Sequence, residues 1–281
     1  MEELKKALTQ RGLGEYFERT KHLVRNAIHI EPIRTPSDQI PVGASKFGGH
    51  PDLPEDFVWP RREEGQPLLF LCQLSLAELA PYDRDGLLPT EGILYFFYDV
   101  GPMPDISWME LDGWAVRYHA GGAVTRRPGP EDVPGYFATA KLEYTAKPEV
   151  PFLFCDLVPR ESLQGNEFWD LWDWNNQHAS KDGDPSDIST KLLGHACPVQ
   201  TYGMELECEK AHRKLYGTAG CRWEDPKDHR NAERWVNLLQ LDSWEKSWIW
   251  DNGYGRVYFW IEEEDLKHRR FDRVLVVTQY S

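Results

Sequence analysis

One stretch of the chain occurs twice, and this repetition constrains the fold more than any other feature. Between Lys46 and Tyr98 run three parts: a Gly-His-Pro turn (Phe47-Gly48-Gly49-His50-Pro51), an apolar run ending in glutamine (Leu68-Leu69-Phe70-Leu71-Cys72-Gln73-Leu74) and an aromatic strand (Gly92-Ile93-Leu94-Tyr95-Phe96-Phe97-Tyr98). They return in the same order as Lys191-Leu192-Leu193-Gly194-His195, Leu238-Leu239-Gln240-Leu241 and Gly255-Arg256-Val257-Tyr258-Phe259-Trp260. Matching parts lie roughly 145 to 165 residues apart, which makes two copies and not a solenoid. Each copy offers an apolar sheet face that the other can cover. The expected class is therefore α+β: largely antiparallel β-sheets from two diverged internal repeats packed about a pseudo-twofold, with an N-terminal helix and a helix between the repeats. The whole chain, 1–281, reads as a single domain. Its repeat halves are approximately 27–157 and 190–281, joined by a helix and polar loop over 160–189.

Along the chain, residues 2 to about 26 predict a helix broken near Gly12 and Gly14. Ala27–Ile33 alternates like a strand, which Pro32 and Pro36 should confine to an edge or end. The turn-rich segment Pro41–Pro67 is expected to be pinned to the core by Phe57 and Trp59. Leu68–Leu74 reads as a strand buried on both faces. Further strands are expected at Ile93–Tyr98, Trp114–His119, Phe137–Thr145, Val150–Leu157 and Phe271–Tyr280. Met204–Glu209 alternates strictly, so it reads as a strand with Glu205, Glu207 and Glu209 on a solvated face. Leu163, Phe168, Leu171 and Trp172 recur at helical spacing, and 226–236 is a second helical candidate.

Lys and Arg total 32 against 46 Asp and Glu, a formal charge of -14. Such a field repels phosphate backbones and anionic membrane surfaces and attracts cations or a basic protein. Nucleic-acid and membrane partners are therefore not expected, and a basic protein partner is. No apolar run approaches the roughly 20 residues of a membrane span. Charges stand in Met1–Lys6 where a signal peptide has its apolar core. Five cysteines without short paired spacings fit reduced thiols in a cytoplasmic protein better than a disulfide framework.

No nucleophile elbow, phosphate loop, H-E-x-x-H or C-x-x-C occurs, so no catalytic residue, metal set or cofactor is assigned. His50 and His195 occupy equivalent turns. They suit paired bases or metal ligands, but a lone turn histidine more simply hydrogen-bonds backbone. Gln73 and Gln240 each follow leucines; a buried amide must satisfy its hydrogen bonds, which favours a clamp on loop backbone over a pair of ligand contacts. Cys197, Cys208, His212 and Cys221 lack the paired spacing of a zinc site, and Asp182, Asp184 and Asp187 lack the pattern of a calcium loop. Two tryptophan groups, Trp244/Trp248/Trp250 and Trp169/Trp172/Trp174, suit core packing, with sugar stacking or partner anchoring as the functional reading. Two functions remain in view. One is non-catalytic binding of a protein with a basic face. The other is a binding or hydrolytic cleft at the repeat interface for a small ligand or carbohydrate, whose signature is convergence of His50, Gln73, His195 or Gln240 with tryptophans such as Trp59.

The motifs Lys-Phe-Gly-Gly-His-Pro-Asp-Leu-Pro (46–54), Trp59-Pro60, Leu-Cys-Gln-Leu (71–74), Gly-Ile-Leu-Tyr-Phe-Phe (92–97), Leu-Leu-Gly-His (192–195), Gly-Met-Glu-Leu-Glu-Cys-Glu (203–209), Leu-Leu-Gln-Leu-Asp-Ser (238–243), Gly-Arg-Val-Tyr-Phe-Trp-Ile (255–261) and Arg-Arg-Phe-Asp (269–272) together resemble the YwqG-like family. The resemblance covers nearly the whole chain. It implies an α+β, largely antiparallel fold in bacterial or similar cytosolic proteins. It implies no activity, because that family is of unknown function; some relatives look like immunity proteins against toxins. After the second Gly-His this chain has Ala196-Cys197-Pro198, where the family more often has Pro-Asp-Pro.

Overall fold

The computed structural model describes residues 1–100, 111–158, 160–178, 190–200, 203–216, 231–242 and 255–280. The N-terminal segment forms α1 (Glu2–Thr9) and α2 (Gly14–Thr20), separated at the expected glycines because Gly12 sits at φ +80°. Strand β1 (Arg25–Arg34) follows, then the short β2 (Lys46–Phe47) and β3 (Asp52–Leu53). β4 (Leu69–Ser75) runs into a single helical turn, α3 (Leu76–Leu79). β5 (Ile93–Tyr98) and β6 (Trp114–His119) match the expected strands, with β7 (Thr125–Arg126) and β8 (Ala140–Glu149) after them. Beyond α4 (Glu167–His178) come β9 (Lys191–Leu193), α5 (Glu205–Tyr216), β10 (Trp235–Asp242), β11 (Gly255–Glu262), α6 (Glu263–Lys267) and β12 (Leu275–Tyr280).

Ten strands form one sheet, ordered β12-β11-β10-β9-β1-β8-β2-β4-β5-β6, with every neighbouring pair antiparallel. Outward from the central β1–β8 pair, one side reads β9-β10-β11-β12 and the other β2-β4-β5-β6. The right-handed twist of so long a sheet brings its ends together into a nearly closed barrel. Trp114 Nε1 in β6 donates to the Val274 carbonyl beside β12 at 2.8 Å, and Tyr98 Oη lies 3.1 Å from Thr278 Oγ1. Inside, Phe96 and Phe259 meet edge to face at 5.2 Å. A second cluster covers the other face of β4 to β6, where Trp59 donates from Nε1 to the Leu68 carbonyl and Phe57 packs on Tyr95 and Phe97. The turn-rich segment is thus pinned as its aromatics suggest. A third cluster joins α1, α2 and α4 through Leu8, Phe17, Leu171 and Trp174.

Four expectations are corrected. Met204–Glu209 is not a strand: Met204 leads into α5, and burial of Met204, Glu205, Cys208, Glu209 and Ala211 follows helical spacing. Glu205 and Glu209 are accordingly buried rather than on a solvated face. Strand β1 lies inside the sheet, paired on both sides. Pro32 is tolerated there because β9 reaches only Ala27–His29, so no ladder bond is asked of the missing N–H on that side. Val150–Leu157 forms turns, with Cys155 N–H donating to Phe152 O, while β8 extends to Glu149 in its place. Of the second helical candidate, 226–230 lie outside the described residues, 231 and 232 are helical, and the end is corrected because β10 begins at Trp235.

Candidate functional site

Gln73 in β4 is fully buried and bonds outward into the loop that carries the first Gly-His turn. Its Oε1 accepts from the Asp52 N–H at 2.7 Å, and its Nε2 donates to the Ala44 carbonyl and to Asp52 Oδ2, both at 2.8 Å. Across the ladder, Tyr95 donates its hydroxyl to the Asp52 carbonyl at 2.6 Å. Asp52 is thus held by both backbone groups. The same pair of bonds occurs at the second turn. Gln240 Oε1 accepts from the Cys197 N–H at 2.9 Å, and its ladder partner Tyr258 donates to the Cys197 carbonyl at 2.7 Å. The glutamine clamp favoured from sequence is present at both places. The tyrosines opposite the glutamines carry half of it, and only cross-strand register identifies them.

The charges around the two clamps differ. Lys46 Nζ meets Asp52 Oδ1 at 2.8 Å with both side chains fully buried, and Arg126 reaches the same carboxylate at 2.7 Å. Burial pulls Lys46 down to about 8, against the opposing pull of Asp52. Burial alone would raise Asp52, but Arg126 and Lys46 hold it below the usual carboxylate range. Lys191 is placed opposite Gln240 as Lys46 is opposite Gln73. It pairs with Glu149 at the end of β8, 2.8 Å to each oxygen. His29 Nε2 lies 3.0 Å from Glu149 Oε1. Burial opposes ionisation of Glu149, yet Lys191 and His29 hold it well below its ordinary value. Beside Cys197, Arg256 pairs with Asp242 at 2.6 Å, whereas beside the Gln73 clamp Arg126 pairs with Asp52.

His50 and His195 occupy unlike surroundings. His50 is exposed and packs edge-on to Tyr136, with ring centroids 4.6 Å apart. His195 is buried, with Nε2 2.7 Å from the Leu23 carbonyl, and burial followed by Arg25 lowers its pKa to about 3. Its N–H donates to Glu149 Oε2 at 3.1 Å. The preceding Gly194 sits at φ +66°, where an added Cβ would lie 2.5 Å from Ala27 Cβ. The turn therefore needs glycine for both its backbone angle and its approach to β1. None of the three cavities described next to Trp169, Trp114 or Arg25 is lined by His50, Gln73, His195 or Gln240. Among the described residues, these cavities therefore do not bring the four side chains together. Trp59 serves the core, and Trp244, Trp248 and Trp250 lie outside the described residues, as do Asp182, Asp184, Asp187 and Cys221.

A concave aromatic surface lies elsewhere, beside α4. Trp174 packs into the core, whereas Trp169 and Trp172 are 65% and 44% exposed, against the core-packing expectation for that group. They line a cavity of about 640 Å³ with Phe154, Phe168, Asp156 and Glu161. Phe168 meets Phe154 and Trp169 edge-on, and the Arg160 guanidinium lies 4.7 Å from the Phe168 ring. Asp156 accepts from the Leu206 N–H at 2.8 Å in the first turn of α5. Burial, then the Glu205 carboxylate, raises its pKa to about 7. Glu205 itself lies 3.2 Å from the Cys155 thiol. Sequence spacing isolates the tryptophans but not these carboxyl groups, which come from a loop and a helix 49 residues apart. Among the described residues the zinc-compatible side chains do not gather: Cys197 belongs to the clamp and Cys208 to the core. His212 instead lies near Glu262 and Asp265.

Among the described residues no helix is long and apolar enough to cross a membrane. No curated protein matches the chain. A family model described as a domain of unknown function matches residues 45–279, which spans both clamps and every strand of the sheet except β1. With most of its length matched, the chain belongs to the DUF1963 family, a domain of unknown function.

Proposed function

We propose that this is a non-catalytic protein-binding chain, immunity-like in kind, which receives a basic segment of a partner in the aromatic cleft beside α4. The observation that carries the reading is the exposure of Trp169 and Trp172 at a cavity that also presents Asp156 and Glu161. Tryptophan contributes disproportionately to interface energy, and an aromatic face beside carboxylates suits a lysine or arginine side chain. The stacking of Arg160 on Phe168 provides an internal example of that contact. α4 adds Asp170 and Asp173 and carries no Lys or Arg. The overall charge of -14 would steer a cationic partner toward the chain. The Gln73 and Gln240 amides bond internally to the Asp52 and Cys197 backbone N–H groups.

The same reading takes the chain as one cytoplasmic, YwqG-like unit whose flanking four-strand sets descend from a duplication. The mirrored strand order and the recurrence of the Gln–Tyr clamp support that descent. The test is calorimetric titration with an oligo-arginine peptide, and with oligo-glutamate as control, at low and high salt. Expected is saturable binding of oligo-arginine alone, weakening steeply as salt rises, and lost in the Trp169→Ala/Trp172→Ala double variant. Because both side chains are exposed, that variant should keep its stability within about 0.5 kcal/mol. No binding at low salt, or binding indifferent to the double substitution, would sink the proposal.

A further inference from the structure

Where α5, the end of β11 and α6 meet, His212, Glu262 and Asp265 each direct one ligand-type atom to a common point, all within 4.8 Å of one another. Among the described residues, Oδ2 of Asp265, a residue only 1% exposed, and Nε2 of His212 have no hydrogen-bond partner. Glu262 Oε2 stands 3.8 Å from His212 Nε2, beyond hydrogen-bonding distance. The second oxygen of each carboxylate is already engaged. Arg234 holds Glu262 Oε1 at 3.0 Å, and Arg270 with Arg273 holds Asp265 Oδ1. The arginines thereby anchor both carboxylates and leave Oε2 and Oδ2 for the shared space. A buried polar atom left without a partner costs roughly 1–3 kcal/mol, so two such atoms beside Glu262 Oε2 call for an occupant.

We propose that His212, Glu262 and Asp265 form a binding site for one divalent transition-metal cation, with zinc as the reference probe. One imidazole and two carboxylates are a nitrogen-and-oxygen set that zinc accepts. A hard cation such as calcium or magnesium takes oxygen ligands throughout, and the imidazole selects against it. Bonds of about 2.0–2.2 Å in a tetrahedral shell put ligand atoms roughly 3.3 Å apart. Small side-chain movements of the unpartnered atoms reach that spacing. The rings of Tyr216 and Trp235 flank the His212 imidazole at 5.0 and 5.7 Å and shield one side from solvent. Three protein ligands leave a coordination position for water. The nearby arginines offset the carboxylate charge, so the expected affinity is micromolar. The site is separate from the α4 cleft and independent of any partner that binds there.

The test uses the full chain stripped with chelator, titrated with Zn²⁺ by calorimetry and with Co²⁺ by visible absorption. Expected is one equivalent bound, Co²⁺ ligand-field bands without the thiolate charge-transfer band that a cysteine ligand adds, and a zinc-dependent rise in melting temperature. His212→Ala and Glu262→Gln should each weaken binding at least about tenfold. His212→Ala should melt near the wild-type temperature without metal and gain nothing from zinc. Absence of saturable binding overturns the proposal. So does undiminished binding by both variants, which marks an adventitious ion only on the acidic surface, or a thiolate band, which places the ion on cysteine.

Discussion

At the scale of single residues, the side chains that look most like a site are mostly scaffold. Gln73 satisfies an N–H, a carbonyl and a carboxylate oxygen from one loop, and it does so from inside a strand buried on both faces. Replacing it by leucine keeps the volume but strands the Asp52 N–H and the Ala44 carbonyl. Each orphaned group costs roughly 1–3 kcal/mol. Gln73→Leu is therefore expected to lose about 3 kcal/mol in urea unfolding, while the exposed Gln66→Leu should stay within about 0.5 kcal/mol. A Gln73→Leu loss no larger than that of Gln66→Leu would remove the clamp argument. Lys191 and Glu149 make the same point electrostatically: burial of either charge is tolerable only because the other is 2.8 Å away.

At the scale of elements, α5 shows how a helix terminus can carry a pH dependence. Asp156 serves the first turn of α5 through the Leu206 N–H, but burial and Glu205 raise its pKa from the ordinary 3.8 to about 7. The folded state then holds a proton that the unfolded chain has released across that interval. Stability from this group is fully present below about 4 and is lost as pH rises through about 7. Asp156→Asn keeps an acceptor for Leu206 and removes the ionisation. Relative to wild type it should gain stability as pH rises from 5 to 8, by about 1 kcal/mol once the partial exposure of the site and the lost charge at the helix terminus are discounted. Melting curves across that range are the measurement. A constant offset between the two proteins would show that Asp156 does not titrate there.

At the scale of the whole molecule, the sheet closes because β6 and β12 meet. The Trp114 indole N–H and the Val274 carbonyl form a hydrogen bond across that seam, next to Tyr98 and Thr278. Trp114→Phe retains most of the buried ring but leaves the Val274 carbonyl short of a donor. A loss of about 2 kcal/mol is expected, together with faster amide exchange in β6 and β12 than in the central β1–β8 pair. Uniform exchange changes over all ten strands would mean that the seam is not a separable weak point.

What the sequence determines by itself is local and periodic. The runs Ile93–Tyr98 and Trp114–His119 become strands with the expected bounds, Gly12 breaks the first helix, and the two leucine-flanked glutamines occupy matching register. Those features follow from alternation, backbone freedom and the need to satisfy a buried amide, all of which a short window contains. Met204–Glu209 misleads for the same reason: six alternating residues match a strand, but Met204 and Cys208 are also i, i+4 neighbours on a helix face, and packing against the core selects the helix. Tertiary structure alone decides the charges. Lys46 and Lys191 stand in the same place within their motifs, yet one finds Asp52 from its own loop and the other Glu149 from a distant strand. It likewise exposes His50 and buries His195, and brings His212 to Glu262 and Asp265. Which opposite charge lies within a few ångströms depends on how the ten strands are ordered around the barrel, and no local window carries that information.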